Sequence, residues 1–195
     1  MSTARDPASV PPDTVIADTR RWLERAVIGL NLCPFAKAVY VKKQVRYVVS
    51  TAADSDALLA DLEHELQYLA KASPEETDTT LLIHPHALKR FDDFTDFLDL
   101  VDVVVRLQGL SGILQVANFH PDYCFSDAEA DDLGNLTNRS PYPTLHLLRE
   151  ESLDRAVRAF PKAATIYERN IETMERLGRE GWRALDVDAA KASVD

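Results

Sequence analysis

The chain has 195 residues, of which 46% are hydrophobic, and its 32 acidic and 22 basic side chains give a formal net charge of −10. This length and composition predict one compact domain with a buried core, and they exclude a wholly disordered chain. The acidic balance argues against binding to nucleic acid, two cysteines are too few for a disulfide framework, and no apolar run approaches membrane-spanning length. We therefore expect a soluble cytoplasmic protein that binds neither nucleic acid nor membrane.

The two ends of the sequence differ from its middle. The first residues are rich in proline and lack both periodic apolar positions and the basic and apolar stretches of a signal peptide. The last residues are rich in alanine and aspartate. We predict a flexible tail over residues 1–12, a single domain over 13–182 and a peripheral tail over 183–195.

The first third of the chain alternates between helical and strand patterns. Apolar residues at helical spacing predict a helix that begins at residue 13 or 14 and ends before Pro34. The β-branched and aromatic residues 45–49 predict a strand, which residues 39–41 either extend or pair with as a hairpin. A leucine stripe then predicts a helix over 54–72.

The middle of the chain continues this alternation. It predicts a strand over 79–83, a helix over 91–107 and a strand over 113–119, followed by a loop over 120–143. Strands that alternate with helices favour parallel pairing. We therefore predict an α/β fold with a small, largely parallel sheet and additional N- and C-terminal helices. The predicted C-terminal helices cover residues 144–150, 152–160 and 163–177, the last capped by Gly178.

Two of the predicted strands run directly into a histidine followed by a proline. His84 and His86 follow the strand 79–83, and His120 and Asp122 follow the strand 113–119. If these strands are parallel neighbours, their carboxyl ends share one edge of the sheet, where α/β proteins bind their ligands. The sequence therefore predicts a site at that edge.

Imidazole and carboxylate groups at such an edge support two kinds of chemistry. His84, His86, His120 and Asp122 together could ligate a divalent transition metal such as zinc, iron, copper or nickel. Alternatively, His84, His120 and Asp122 could act as catalytic acid–base groups, because the ordinary histidine pKa is about 6.5. The competing interpretation is that these residues only cap backbone groups where the strands end.

An anion site is predicted in the second half of the chain. Arg139 and Ser140 lie just before the predicted helix 144–150, and a helix N-terminus favours anions. Within that helix His146 and Arg149 lie three residues apart on one face. We predict that the two arginines hold a small anionic substrate, with Asn138 and His146 in the same pocket. The alternative is that the arginines bond loop carbonyls or acidic neighbours.

The tetrapeptide Cys33-Pro34-Phe35-Ala36 resembles the thiol motif of the glutaredoxin and glutathione-transferase families. In those families the cysteine opens a helix, whose N-terminus lowers the pKa of the thiol. Here the pattern predicts a helix before Cys33 and a strand after it, so the thiol would lie near a helix C-terminus, which disfavours a thiolate. We retain Cys33 as a pocket member, the alternative being a buried structural residue.

Six short motifs recur together in one family. They are WLERAV (22–27), NLCPFA (31–36), LIHPH (82–86), FHPDY (119–123), NRSPYP (138–143) and YERNI (167–171). This set resembles an uncharacterised family of bacteria and plants, known as a domain of unknown function, fourteen-fifteen in that series. The resemblance covers residues 14–182 and implies a single-domain protein, but it implies no activity.

The function that the sequence favours is that of an enzyme. A histidine-rich pocket at the strand ends, with or without a divalent transition metal, would act on a small anionic molecule. The alternative is a non-catalytic binding or scaffold protein that uses its acidic helices, such as the aspartate-rich residues 92–102, as an interface. The reaction, the metal and the oligomeric state are left open by the sequence.

Overall fold

The computed structural model describes residues 10–159 and 165–189, which form six α-helices and four strands. The order of these elements is α1 (Pro12–Trp22), α2 (Ala36–Val41), β1 (Val45–Val49), α3 (Ser55–Lys71), β2 (Thr79–Ile83), α4 (Phe91–Leu107), β3 (Leu114–Phe119), β4 (Thr144–Arg149), α5 (Glu150–Ala159) and α6 (Ile166–Ala184). A wider π-helical segment, Leu23–Ile28, continues α1, and a 3₁₀ segment, Leu133–Asn138, lies in the long loop before β4.

The four strands form one mixed sheet in the order β1-β2-β4-β3. The strands β1 and β2 pair in parallel, whereas β4 runs antiparallel to both of its neighbours, β2 and β3. Because β2 and β3 both oppose β4, the strands β1, β2 and β3 point the same way. The α/β class is therefore confirmed, but the sheet is not largely parallel, since an antiparallel strand separates β2 from β3.

The separating strand β4 replaces a predicted helix over residues 144–150. Leu145 and Leu147 are fully buried in the core between the flanking strands, and their neighbours Thr144 and His146 point to the other face. Leucine, histidine and arginine are all compatible with a helix in isolation, so this short segment carries little local preference. Pairing with two strands satisfies its backbone groups on both sides and decides its conformation.

Most other elements match their predicted positions. The strands 45–49 and 79–83 and the helix 91–107 are observed at the predicted bounds, and Asp54 caps α3 by accepting a hydrogen bond from the Ala57 N–H. Residues 39–41 belong to helix α2, so neither the strand extension nor the hairpin predicted there is found. Gly178 interrupts the last helix with φ 65°, but helical residues resume beyond it as far as Ala184. Predictions for residues 1–9, 160–164 and 190–195 lie outside the described residues.

Helices cover both faces of the sheet. On one face the leucines of α3 and the phenylalanines of α4 pack against Leu82, Leu145 and Leu147 in the main core. On the other face Val15 of α1 packs against Leu81 and Ile83. Each of these fully buried side chains contributes about 2 kcal/mol to folding. None of the described helices is long and apolar enough to cross a membrane.

A second cluster joins the N-terminal helix to the C-terminal helix. Trp22 and Leu23 pack with Met174 and Trp182 of α6 and with Leu136 of the 3₁₀ segment. This packing places the end of α1, the long loop and α6 together beside the carboxyl end of β3. The aspartates of α4 (Asp92, Asp93, Asp96, Asp99 and Asp102) are all exposed on the side of the helix away from the core.

Candidate functional site

The histidines that follow β2 and β3 lie close together at one edge of the sheet. His84 and His120 are both fully buried. Their rings lie on the same aromatic side chain, with centroids 5.6 and 5.2 Å from that of Phe94. The insertion of β4 between the two strands therefore does not separate these two side chains.

Both ring nitrogens of His120 are engaged by the backbone. Its Nδ1 accepts a 3.0 Å hydrogen bond from the N–H of Asp122, and its Nε2 lies 3.2 Å from the carbonyl oxygen of Leu88. Because a carbonyl oxygen only accepts, the proton is on Nε2 and the ring is neutral. Burial lowers the pKa of His120, which favours this state. His120 therefore ties the turn after β3 to the loop after β2.

One ring nitrogen of His84 forms a hydrogen bond, and the other has no partner within the described ranges. Its Nδ1 donates to the carbonyl oxygen of Ala87, 3.1 Å away, so its Nε2 carries the lone pair. Within the described ranges that buried Nε2 has no hydrogen-bond partner, and the same is true of Nδ1 of His86. Burial lowers the pKa of His84 to about 4, so its ring is neutral near pH 7.

These residues do not fit the four-ligand metal site that the sequence predicts. His120 has no free lone pair, because Nδ1 already accepts the Asp122 N–H. Asp122 itself is exposed and meets His120 through its backbone rather than its carboxylate. In the described part of the chain, no three histidine, cysteine, aspartate or glutamate side chains come together in a group that could hold a metal.

Arg149 lies at the opposite end of the sheet from these histidines. It pairs with Leu114, the first residue of β3, whereas the histidines follow the last residues of β2 and β3. Its guanidinium donates to the carbonyl oxygens of Ala72 at 2.6 Å and of Thr77 at 3.0 and 3.3 Å, and burial lowers its pKa. The prediction that Arg149 shares an anion pocket with Arg139 is therefore wrong, because it rested on a helix that is a strand.

His146 lies in the middle of β4 and is also engaged internally. Its Nε2 is 2.7 Å from Oγ1 of Thr79, which donates its own proton to the carbonyl oxygen of Leu147. The imidazole must therefore donate to the hydroxyl, and burial lowers the pKa of His146 to about 4. His146 is thus a half-buried bridge between two strands rather than a pocket residue at a helix start.

A cleft of about 430 Å³ opens beside the carboxyl end of β3. We call it the arginine cleft, and its main polar and aromatic lining residues are Trp22, Arg139, Arg179, Trp182, Arg183 and Asp188. Three arginines and one aspartate thus line this cleft in a chain whose net charge is −10. Pro121, which follows His120, also lines the cleft, so the cleft lies next to the edge that the sequence indicates.

The three arginines of this cleft differ in how they are held. Arg139 donates to the carbonyl oxygens of Tyr123 and Ala130, as the alternative interpretation of the sequence expects, and so braces the long loop. Arg179 donates to the backbone of Asp131 and lies 4.0 Å from its carboxylate. The side chain of the exposed Arg183 has neither a hydrogen-bond nor an ion-pair partner among the residues described.

Sequence reasoning missed Arg179 and Arg183. Both lie in the C-terminal helix, where charged residues are usual on a solvent-exposed face and do not by themselves indicate a site. The available signal is their spacing: two arginines four residues apart share one face of a helix, and they flank the large apolar Trp182 just after the break at Gly178.

Asn138 and Cys33 line a second, smaller cleft of about 260 Å³. Cys33 precedes the short helix α2 rather than a strand, so the predicted sequence of elements around it is wrong. Hydrogen bonds from the backbone of Phe35 and Ala36 favour the thiolate, but burial outweighs them and raises the pKa of the Cys33 thiol. Cys33 is therefore a neutral thiol near pH 7.

Comparison with known proteins identifies a family and nothing more specific. A family model described as "Protein of unknown function (DUF1415)" matches residues 14–184, which confirms the resemblance noted from the sequence motifs. No curated protein and no solved structure matches the chain.

Proposed function

The chain belongs to that family of unknown function, and we propose that it binds a small anionic molecule in the arginine cleft. The observation that carries this proposal is the concentration of three arginines around one concave surface of an acidic protein. Guanidinium groups bind carboxylates and phosphates through paired hydrogen bonds, so convergent arginines favour such ligands over other anions.

The surroundings of the cleft support this proposal in two ways. Arg139 is held by two carbonyl oxygens, which fixes its position without neutralising its charge, whereas Arg179 is held by the backbone of Asp131 and lies 4.0 Å from its carboxylate. The side chain of Arg183 has no partner within the described ranges and so keeps all five of its donors available. The volume of the cleft lies within the usual range for sites that bind small molecules.

Tryptophan fluorescence gives a direct test of the proposal. The chain has two tryptophans, and both of them, Trp22 and Trp182, line the arginine cleft. We expect inorganic phosphate, pyrophosphate or citrate to change their emission with a saturable curve that weakens as the salt concentration rises. Glucose, which is neutral, should leave the emission unchanged. The absence of saturation with all three anions would refute the proposal.

A second candidate function is acid–base catalysis at the neighbouring histidines. The observation that favours it is the open Nε2 of His84, a buried basic nitrogen without a partner in the described chain. If this nitrogen acts on a molecule bound nearby, adding the anion should shift its ¹⁵N resonance while leaving that of the exposed His64 in place. An unchanged His84 resonance at saturating anion would remove this candidate.

A further inference from the structure

The second cleft is lined by uncharged polar side chains. Its polar members are Cys33, Asn118, Thr137, Asn138 and Asn170, and its remaining walls are apolar. They come from four separated parts of the chain: the turn after the π-helical segment, β3, the 3₁₀ segment and α6. Among the residues that the structure describes, no aspartate, glutamate, lysine, arginine or histidine lines it. This composition contrasts with the three arginines of the arginine cleft.

Several hydrogen-bonding groups in this cleft are open. Asn170 donates from Nδ2 to the carbonyl oxygen of Leu32, 2.9 Å away, which leaves its Oδ1 as an acceptor. The carboxamide of Asn138 also makes a side-chain hydrogen bond to Tyr123, and its Oδ1 lies 3.2 Å from the hydroxyl of Thr137, which donates to the carbonyl oxygen of Gly134 at 2.7 Å. The side chain of Asn118 makes no hydrogen bond to any described residue. The cleft therefore presents donors and acceptors together without a formal charge.

The other walls favour a compact, partly apolar ligand. Val27, Leu32, Ala117 and Phe119 supply apolar surface, and the protonated thiol of Cys33 behaves as a small polarisable group. A ligand with a full charge would lose its hydration here without gaining an opposite charge. A neutral ligand with adjacent donors and acceptors can pair with the carboxamides, as nucleic-acid bases do with asparagine side chains.

We propose that this cleft binds an uncharged molecule that carries adjacent amide-type donors and acceptors, such as a single heterocyclic ring of the nucleobase type. The volume of about 260 Å³ suits one ring rather than a larger ligand. The proposal depends on the carboxamides and not on the arginines, so it stands independently of anion binding in the arginine cleft.

Calorimetric titration with uracil, adenine and nicotinamide tests the proposal, with benzoate as a charged ring for comparison. We expect at least one neutral ring to bind with saturation, and we expect any heat from benzoate, a carboxylate that the arginine cleft can bind, to be unchanged by Asn118→Ala. Asn118→Ala should weaken that binding about tenfold. The matched control is Gln115→Ala, which changes an exposed residue of the same strand that does not line the cleft, and it should bind as the wild type does.

Protection of the Cys33 thiol from a reagent that converts it to a methyl disulfide localises the binding. In a Cys124→Ser background Cys33 is the single cysteine, and its reaction with methyl methanethiosulfonate should slow when the bound ring is added. Failure of all three neutral rings to bind would overturn the proposal. Equal affinities of the Asn118→Ala and Gln115→Ala variants would also overturn it, because the ligand would then lie elsewhere.

Discussion

The indole Nε1 of Trp22 donates a 2.8 Å hydrogen bond to the carbonyl oxygen of Arg139, 117 residues further along the chain. This bond joins the end of α1 to the loop that carries one of the three arginines of the cleft. The Trp22 ring also packs edge-on against Phe119, the last residue of β3, with centroids 5.1 Å apart. Trp22 therefore holds one wall of the arginine cleft against the end of the sheet.

Replacing Trp22 should loosen that wall. Trp22→Phe keeps an aromatic ring but removes the hydrogen bond to Arg139, so we expect a loss of about 1–2 kcal/mol in the free energy of unfolding. We also expect several-fold weaker binding of pyrophosphate, measured by calorimetry. Trp182→Phe is the control, because Trp182 lines the same cleft and makes no hydrogen bond to a described residue through its indole. Identical effects of the two substitutions on pyrophosphate binding would contradict this role of Trp22.

His120 should contribute strongly to stability. His120→Ala removes the hydrogen bonds to Asp122 and Leu88 and the ring contact with Phe94, so urea unfolding should show a loss of about 3 kcal/mol. His64→Ala, at an exposed position of α3, should change stability by less than about 0.5 kcal/mol. A loss below about 1 kcal/mol for His120→Ala would mean that these bonds do not hold the two loops together.

Stability should fall as the pH drops below neutrality. Burial lowers the pKa of His84 and His146 to about 4, whereas in the unfolded chain a histidine pKa is about 6.5. Between these values the unfolded state binds more protons, so stability is complete above about pH 6.5 and declines towards pH 4. Each such histidine contributes a slope of at most about 1.4 kcal/mol per pH unit.

Urea unfolding at a series of pH values measures this slope. His84→Gln should reduce the slope between about pH 6.5 and 5, because one group that gains a proton on unfolding is gone. Gln67→Ala changes an exposed residue of α3 that carries no ionisable group and should keep the wild-type slope. A slope unaffected by His84→Gln would show that the buried imidazole does not remain neutral in the folded state.

Replacing Arg149 should lower the free energy of unfolding and leave the affinity for anions unchanged. Its guanidinium bonds two carbonyl oxygens between α3 and β2, so Arg149→Gln should lower the free energy of unfolding by about 2 kcal/mol. Because Arg149 lies at the far end of the sheet, the affinity for pyrophosphate should remain that of the wild type. Loss of affinity in a variant that is still folded would place Arg149 back in the anion site.

The predicted elements are accurate where one pattern dominates a whole segment. The leucine stripe of α3, the apolar face of α4 and the β-branched run of β1 each have a period that only one structure satisfies. The strand β4 has no such signal, because six residues with mixed preferences take their conformation from β2 and β3, which are distant in sequence. Because residues 144–150 were predicted as a helix, the predicted sheet lacked this antiparallel strand.

The candidate site was predicted in part for a similar reason. Chain direction alone brings His84 and His120 to one edge, and the sequence contains that information. It does not contain the hydrogen bonds of those rings to the backbone, which leave no metal site among the described residues. It also does not show that α6 folds back against Trp22, so the contributions of Arg179 and Arg183 to the cleft follow only from the tertiary structure.

The most direct test of the proposed function is the affinity for pyrophosphate of Arg183→Gln beside that of Arg176→Gln, read from tryptophan emission. Both arginines are exposed on α6, but only Arg183 lines the cleft. We predict that Arg183→Gln weakens binding about tenfold or more while Arg176→Gln leaves it unchanged. Equal affinities of the two variants would contradict anion binding in the arginine cleft.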